Sequence, residues 1–365
     1  MAGKKKFSIK PNKKLFKQAY NFKNKMLTKE QVKEIKRELD ECDNPLFFFH
    51  DDPDGLCSFL LLYKYKQEGA GVVVKAVPRI DEKFLKKVKE YSPDKIFITD
   101  IAIVEQDFID RAGCPVVWID HHEPLKRNKV KYFNPRNNDK DINSPATLLC
   151  YQVTKEDLWI AMTGCVGDWV FPPFYDEFKE KYPDLVNDEK DPGAILFSTK
   201  IGELSKIFSF ILKGKISDVM KCVKILTRIE SPYEILRQET PRGKLIYKLY
   251  ERVNKKYEAL LKKALKKGSE DSFLIFTYEE DKTSFTGDLA NELHYRFPDK
   301  FLILGREKGD EIRMSLRSKL VIPPILEKAL QGLEGYGGGH EHACGACVKK
   351  DDFELFVKRL RDNIK

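Results

Sequence analysis

The sequence predicts an α/β protein: a parallel-sheet domain joined by a helical connector to a smaller α/β domain. Two observations lead to this fold class. In the first half of the chain, short apolar runs the length of buried strands alternate with helical patterns, as in a parallel sheet with helices on both faces. A shorter alternation begins near residue 273, after a long segment patterned as helix. A chain of 365 residues is long enough for two hydrophobic cores.

The elements of the first half follow in order. Residues 1–28 are basic and weakly patterned, and an amphipathic helix is predicted over 29–41, with Thr28 as its N-cap and Gln31 three residues on. Strands are predicted over 46–49, 71–77, 95–99 and 115–119. Helices are predicted over 56–68, 80–90, 105–111, 145–153 and 158–165. Residues 171–192 are rich in Pro, Asp and Glu, which predicts a loop.

The second half is predicted to be wholly helical over 193–268, with strands over 273–278, 301–306 and 311–317 and helices over 285–296 and 323–330. A glycine run, a last strand and a last helix follow. Four parts result. They are a basic arm and helix over 1–42, the parallel-sheet domain over 43–192, a helical connector over 193–270 and the smaller domain over 271–365.

Composition narrows the class of protein. No apolar run approaches the roughly 18 residues that span a bilayer, and the basic N-terminus lacks the apolar core of a secretory signal. We therefore expect a cytoplasmic protein that contacts no membrane. The eight cysteines are irregularly spaced, and six of them lie in or beside apolar runs, which favours free, buried thiols.

Positive charge is clustered within a net charge of +9. Residues 1–25 contain nine lysines and no acid, and residues 242–267 contain ten basic residues against two acids. Such clusters are the electrostatic footprint of a polyanion binder. The alternative is a lysine-rich, solvated surface of the kind found in heat-adapted proteins.

Carboxylates and imidazoles follow the predicted strands in a dense pattern. They are His50, Asp52, Asp54, Asp100, Asp120, His121, His122 and, further along, Asp168. Carboxylate oxygen and imidazole nitrogen are ligands for hard and borderline cations, and residues at the carboxyl ends of parallel strands gather at one edge. Eight candidates suit two ions that share a carboxylate, as in two-metal phosphoesterases.

Single residues of this set have structural alternatives. Asp54 is also suited to cap a helix, Asp168 to occupy a turn, and His121 to pack in the core. Gly55 is expected to permit a tight turn into the next helix.

A second group of residues suits a phosphate. The three glycines Gly337, Gly338 and Gly339 offer backbone N–H groups that can form an anion-binding nest, and His340 adds a donor. Arg313, Ser315 and Arg317 alternate along a predicted strand and therefore share one face. The alternative is a solvated strand edge beside a flexible glycine loop.

Taken in order, these motifs resemble the DHH phosphoesterase superfamily. The resemblance rests on His50-x-Asp52-x-Asp54-Gly55, Asp100, Asp120-His121-His122 and Asp168, and on the Gly337–His340 motif typical of the DHH-associated C-terminal domain. The resemblance covers about residues 43–170 and 271–350. Within the superfamily, the chain most resembles the branch of archaeal RecJ-like exonucleases and nano-RNases.

The resemblance implies a role for each residue. His50 and Asp52 would hold one ion, and Asp54, His121 and Asp168 a second. Asp100 would bridge the two. Asp120 would orient a ligand histidine, and His122 would donate to the scissile phosphate. Mn²⁺ is the expected ion, with Mg²⁺ as the alternative.

The implied activity is that of a two-metal phosphodiesterase, a RecJ-like exonuclease that releases mononucleotides from single-stranded DNA or RNA. The clustered basic residues favour such a polymer. Two alternatives stay open within the superfamily: a nano-RNase or phosphatase acting on short oligoribonucleotides or pAp, and a cyclic-dinucleotide phosphodiesterase. An alternative of another class is a scaffold in DNA replication or repair, and a replication or repair factor is also expected as a partner of the enzyme. The Gly337–His340 motif argues against family II pyrophosphatases, which end in a different anion-binding motif.

Overall fold

The computed structural model describes residues 26–75, 78–142, 144–267, 271–279 and 283–364. The chain divides into two compact units, Met1–Lys248 and Leu249–Lys365. The predicted basic arm, apart from its last three residues, lies outside the described residues, as does the end of the strand predicted over 71–77. Most of the predicted connector belongs to the first unit. Within the described ranges, none of the helices is long and apolar enough to cross a bilayer.

The first unit is built on a five-stranded parallel sheet with the spatial order β2-β1-β4-β6-β7. Its strands are β1 (Pro45–His50), β2 (Ala70–Val74), β4 (Lys95–Thr99), β6 (Val116–Ile119) and β7 (Lys131–Phe133), and a separate parallel pair joins β3 (Arg79–Ile80) and β5 (Ile103–Val104). The predicted α/β class with a parallel sheet is confirmed. The strands β3, β5 and β7 were not predicted, because runs of two or three residues carry no period.

Helices connect these strands and continue to the end of the unit. They are α1 (Lys29–Asp40), α2 (Pro53–Lys66), α3 (Leu85–Tyr91), α4 (Gln106–Arg111), α5 (Ala146–Thr154), α6 (Leu158–Gly167), α7 (Tyr175–Lys181), α8 (Pro192–Ser198), α9 (Lys200–Ile211), α10 (Ile216–Leu226), α11 (Pro232–Leu236) and α12 (Pro241–Leu265), the last of which runs into the second unit.

The first unit confirms one predicted helix boundary and changes two predicted elements. Thr28 caps α1 in a capping box with Gln31, as predicted. The helix predicted over 80–90 begins later, because Ile80 pairs in β3 and a 3₁₀ turn, Glu82–Phe84, precedes α3. The predicted loop over 171–192 contains α7, which buries Tyr175 and Phe178 despite the charged residues between them.

Strand register brings the polar residues to one edge of this sheet. Phe49 of β1 pairs with Thr99 of β4, and Thr99 pairs with Ile119 of β6. The residues that follow, His50, Asp100 and Asp120, therefore leave the sheet side by side at its carboxyl edge. The strands themselves are apolar and almost fully buried. Burial of both alternating sets of side chains is typical of a parallel sheet whose two faces are covered by helices.

Aromatic packing fixes α2 against β1. The rings of Phe49 and Phe59 stack with centroids 4.6 Å apart. Gly71 of β2 lies under Phe59, where a Cβ atom would come within 2.7 Å of two ring carbons. Helix α2 can approach the sheet this closely because Gly71 has no side chain.

The second unit contains a mixed sheet with the order β11-β12-β10-β9-β8. Its elements are β8 (Phe273–Glu279), α13 (Thr286–Arg296), β9 (Phe301–Lys308), β10 (Glu311–Arg317), α14 (Ile322–Leu330), β11 (Gly335–His340), β12 (Ala343–Lys349) and α15 (Phe353–Asp362). One face packs Ile312, Met314 and Leu316 against the hydrophobic residues of α14 and α15.

The glycine run is a strand, which corrects the sequence prediction of a loop or anion-binding nest. All of β11 pairs with β12 in antiparallel register, from Gly335 opposite Val348 to His340 opposite Ala343. Successive N–H groups of a strand point in opposite directions, so the three glycines cannot direct their N–H groups at one anion as a nest does. The strand is solvent-exposed along its whole length.

Gly71→Ala is expected to lower the free energy of unfolding by about 1–3 kcal/mol, because the new methyl group meets the buried, stacked Phe59 ring. Urea unfolding followed by circular dichroism measures this change. Gly214→Ala is the control, since its Cβ would meet only Asp218 at 3.8 Å. Equal stability of Gly71→Ala and the wild type would show that the α2–β1 packing is looser than described.

Candidate metal centre

Three groups of side chains at the carboxyl edge of the first sheet place potential ligand atoms within 4.8 Å of one another. The groups are His50, Asp52 and Asp100; Asp54, His121 and Asp168; and Asp100, His121 and His122. Asp100 and His121 each belong to two of them. The structure thus brings together the six residues that were predicted as metal ligands, and it places His122 beside them.

The first motif enters the site through the N-terminus of α2. Asp52 is the N-cap of this helix: its Oδ1 accepts from the Gly55 N–H at 2.9 Å, and its Oδ2 lies 2.7 Å from His50 Nδ1. The N-cap is therefore Asp52 and not Asp54, the alternative considered from the sequence. Gly55 lies inside the first turn without a left-handed φ, and an added Cβ would come within 2.5 Å of the His50 carbonyl oxygen. Its function is close packing of helix on strand, not the predicted tight turn.

Asp54 is held by a second helix N-terminus. Its carboxylate accepts from the Ala146 N–H at 2.9 Å and the Thr147 N–H at 2.7 Å, both at the start of α5. These bonds fix the carboxylate while one oxygen stays 3.7 Å from His121 Nε2. Burial, followed by the nearby charges of Asp100 and Asp168, raises the pKa of Asp54 well above its usual value.

Asp100 lies between the ligand groups in a strained conformation. It is almost completely buried and has a left-handed φ of 55°, which is uncommon for a residue with a side chain. Its Oδ1 is 3.3 Å from His121 Nε2, and its Oδ2 is 3.5 Å from His50 Nδ1. Strain of this kind persists where the surrounding structure enforces it, and it is concentrated at functional sites.

Two buried polar atoms in the site make no hydrogen bond. They are Asp100 Oδ2 and His121 Nδ1, the latter 3.9 Å from Asp168 Oδ2. Leaving a buried polar atom without a partner costs about 1–3 kcal/mol of folding free energy. Such atoms therefore indicate a site where a ligand binds. Divalent cations fit, since each of these two atoms could donate a lone pair to a cation.

The charges of the site point the same way. Burial, together with repulsion from Asp100 and Asp52, raises the pKa of Asp168 to about 6, although His121 opposes the shift. Burial lowers the pKa of His50, but Asp52 and Asp100 outweigh it and raise that pKa to about 11. Carboxylates this close together repel one another, and bound cations would relieve that repulsion.

Asp120 forms a network that orients His122. Its Oδ1 is 2.8 Å from His122 Nδ1, and its Oδ2 accepts from the His122 N–H at 3.0 Å. The Asn134 amide completes the network by donating to the His122 carbonyl at 2.9 Å and to Asp120 Oδ2 at 3.4 Å, and the Tyr132 hydroxyl donates to the same oxygen at 3.4 Å. Asn134 and Tyr132 were not singled out from the sequence. The signal was present, because Asn134 directly follows β7 at the same sheet edge.

The second unit holds the residues that were predicted to bind substrate. Arg313 forms an ion pair with Glu311 at 3.1 Å, and Arg317 donates to the Asn291 side chain and to the Leu316 carbonyl, both at 2.8 Å. Burial lowers the pKa of Arg317. The partial exposure of Ser315 and the burial of Met314 and Leu316 follow the predicted alternation. His340, the last residue of β11, is exposed.

The three glycines of β11 have different environments. A Cβ at Gly337 would come within 2.9 Å of Leu326 in α14, and Gly339 has a φ of 146° and would meet the Ala343 carbonyl at 2.5 Å. A Cβ at Gly338 would meet nothing within 4 Å. The surroundings therefore favour glycine at positions 337 and 339 but not at position 338, whose bare backbone is exposed to solvent.

Comparison with known proteins supports this reading of the two units. Residues 46–164 match the DHH family N-terminal domain, and residues 270–365 match the DHHA1 domain; together they span more than half of the chain. No curated protein matches the chain by sequence.

Several solved structures share the fold. RecJ from Thermus thermophilus with Mn²⁺ aligns with a TM-score of 0.64 and 16% identity over 93% of this chain, which spans only 55% of that RecJ. Exonuclease RecJ bound to manganese aligns with a TM-score of 0.60 and 16% identity over 92% of this chain and 94% of its own. The DHH domain of a member of the s1p family of ribosomal proteins aligns with a TM-score of 0.59 and 14% identity over 96% of both chains. At these identities the likeness is one of fold. The domain matches and the ordered motifs identify the family: the chain belongs to the DHH phosphoesterase superfamily, and its second unit is a DHHA1 domain.

Proposed function

We propose that the chain is a two-metal phosphodiesterase that removes mononucleotides from the end of single-stranded DNA or RNA. The observation that carries the proposal is the pair of ligand groups, His50, Asp52 and Asp100 on one side and Asp54, His121 and Asp168 on the other. Each group combines one imidazole with two carboxylates, and Asp100 reaches toward both imidazoles. This is the donor arrangement of two divalent cations that share a carboxylate.

The donor set favours Mn²⁺, with Mg²⁺ as the alternative, because imidazole nitrogen and carboxylate oxygen occur together in each group. His50 and Asp52 would hold one ion, Asp54, His121 and Asp168 the other, and Asp100 both. Bound there, the ions supply Lewis acidity and neutralise charge on a phosphodiester.

The remaining residues position the phosphodiester and its protons. Asp120 fixes the His122 ring through Nδ1, so that Nε2 is free to donate to a phosphate oxygen. Burial lowers the pKa of His122, but the hydrogen bond to Asp120 and the charge of Asp120 outweigh burial and raise that pKa, which favours the protonated, donating ring. Asp120 is a positioning residue, since its two oxygens are already engaged by His122, Tyr132 and Asn134.

The positive charge around α12 supports a polymeric substrate. The helix α12 lies within the segment that carries ten basic residues against two acids, and each phosphate that such residues neutralise adds to affinity. Two of the three aligned structures described above are of RecJ, in one case named as an exonuclease. A scaffold role is disfavoured, because every one of the eight proposed site residues is a metal ligand or proton donor type.

Hydrolysis of end-labelled single strands tests the proposal. Single-stranded DNA and RNA of several lengths, labelled at the 5′ or the 3′ end, are incubated with Mn²⁺, Mg²⁺ or chelator. We expect stepwise shortening from one end that requires a divalent ion. Asp120→Ala is the control and should reduce the rate about 10- to 100-fold. Activity confined to pieces of two to five nucleotides would indicate a nano-RNase, cleavage of cyclic dinucleotides alone would indicate the third alternative, and no hydrolysis would refute the proposal.

Asp100→Asn is expected to lower Mn²⁺ affinity about 100-fold or more and to abolish hydrolysis, because an amide is a poor bridge between two cations. The fold should survive, since Asn tolerates the left-handed conformation of residue 100. In chelator the variant should be at least as stable as the wild type, because one buried charge is removed from a crowded acidic site.

Titration calorimetry with Mn²⁺ and thermal unfolding in chelator measure these two effects. Asp107→Asn, which changes an exposed acid on α4, is the matched control. Tight Mn²⁺ binding by Asp100→Asn would rule out a bridging role for Asp100.

Gly338→Ala is expected to raise KM for an oligonucleotide about tenfold while leaving the melting temperature within about 1 °C of wild type. The added methyl group meets no protein atom within 4 Å, so it projects into the space that a phosphate would need. Gly287→Ala is the control, because its Cβ also meets nothing but lies on α13, away from the strand. An unchanged KM for Gly338→Ala would remove the glycine strand from substrate binding.

A further inference from the structure

Strand pairing in the second unit arranges side chains in rows across one face of the sheet. Tyr336 of β11 is directly opposite Cys347 of β12, and Cys347 is directly opposite Arg313 of β10. Paired residues point to the same face. Tyr336, Cys347 and Arg313 therefore form a row at one end of the face that also carries Ser315 and Arg317.

The next rows along the same face have small or polar side chains. Gly338, Gly345 and Ser315 form the middle row, and His340, Ala343 and Arg317 form the last. A Cβ at Gly345 would meet only the Met314 carbonyl oxygen, at 3.8 Å, and one at Gly338 would meet no atom within 4 Å. The face is thus a shallow strip of bare backbone with an arginine at each end.

Tyr336 is the most exposed of the large hydrophobic side chains in the described ranges, at 65%. Tyr336 interacts with the buried Cys347 opposite it, with which its side chain is in hydrogen-bond contact. This contact leaves most of the Tyr336 ring in solvent. An exposed ring beside an arginine is the composition of a base-stacking platform in proteins that bind single strands.

We propose that Tyr336 stacks on a base of the single-stranded substrate and that Arg313 binds the phosphate next to that base. This subsite rests on the proposed function, and it adds a contact at a distance from Arg317, which the sequence predicts to bind a substrate phosphate. Arg313 and Arg317 are four residues apart on one strand, a separation of roughly 13 Å. A nucleotide whose phosphate lies at Arg317 therefore leaves Tyr336 to the base of a neighbouring nucleotide.

The chemistry of the strip selects this occupant over an acidic peptide. The glycines and Ala343 provide no pocket for side chains, whereas a sugar-phosphate backbone can cross bare backbone between two guanidinium groups. The Arg313 pair with Glu311 is solvent-accessible, so a phosphate can displace the carboxylate. Stacking accepts every base, so the subsite sets substrate length and not sequence.

The subsite predicts that longer substrates are preferred and that this preference depends on Tyr336. Tyr336→Ala should reduce the ratio of kcat/KM for a pentanucleotide to that for a dinucleotide about tenfold, and Tyr336→Phe should restore it because the ring is retained. Leu355→Ala, which removes another exposed apolar side chain of the same unit, is the matched control and should leave the ratio unchanged. Both DNA and RNA oligonucleotides are used.

A binding measurement separates this inference from the activity on which it rests. Oligonucleotides with 2-aminopurine at successive positions are titrated with each protein in chelator, where no hydrolysis occurs. At one position we expect fluorescence quenching that Tyr336→Ala loses and Tyr336→Phe keeps. Quenching without any hydrolysis in Mn²⁺ would refute the proposed function and keep the stacking site. Hydrolysis with the same length preference in Tyr336→Ala, or quenching that Tyr336→Ala retains, would overturn the stacking site. Binding of an acidic peptide in place of the oligonucleotide would also overturn it.

Discussion

Repulsion among buried carboxylates is the constraint on which the first unit depends. Asp52, Asp54, Asp100 and Asp168 meet at one sheet edge, and two of them are almost completely buried. The fold offsets part of this repulsion with two helix N-termini, since the start of α2 binds Asp52 and the start of α5 binds Asp54. These bonds also fix the carboxylates in position. What the helices leave uncompensated, at Asp100 and Asp168, is the negative charge that the proposed cations would neutralise.

The fold itself holds the site residues in position. Strand register sets His50, Asp100 and Asp120 side by side, the left-handed backbone at Asp100 is held by the strands around it, and the Asp120 network fixes His122. A site held in this way needs little rearrangement when a charged ligand arrives. The second unit has a different character. Its candidate substrate groups lie on one sheet face, where backbone and long side chains would provide the proposed contacts.

The sequence was sufficient where one residue type has one physical use. An apolar run predicted the strand over 95–99, and an alternation of polar and apolar residues the strand over 311–317, both with the bounds that the structure shows. The polar residues after the strands predicted the cluster. Prediction failed where neighbours decide. The glycine run forms a strand because β12 pairs with it, and β7 is too short to show a period. The capping function of Asp52 was missed because Asp54 is equally suited to cap α2 in isolation. The four-part division of the chain and the assigned roles of the site residues stay predictions.

The glycines of β11 have a consequence for how such a motif changes over time. Packing disfavours a side chain at Gly337, and backbone conformation disfavours one at Gly339, whatever the protein binds. Neither constraint applies to Gly338. If β11 binds nucleotides as proposed, a descendant that had lost this binding would tend to keep the outer two glycines and be free to replace the middle one. Among related chains, variation of the residue at position 338 would then indicate loss of ligand binding and not a change in the fold.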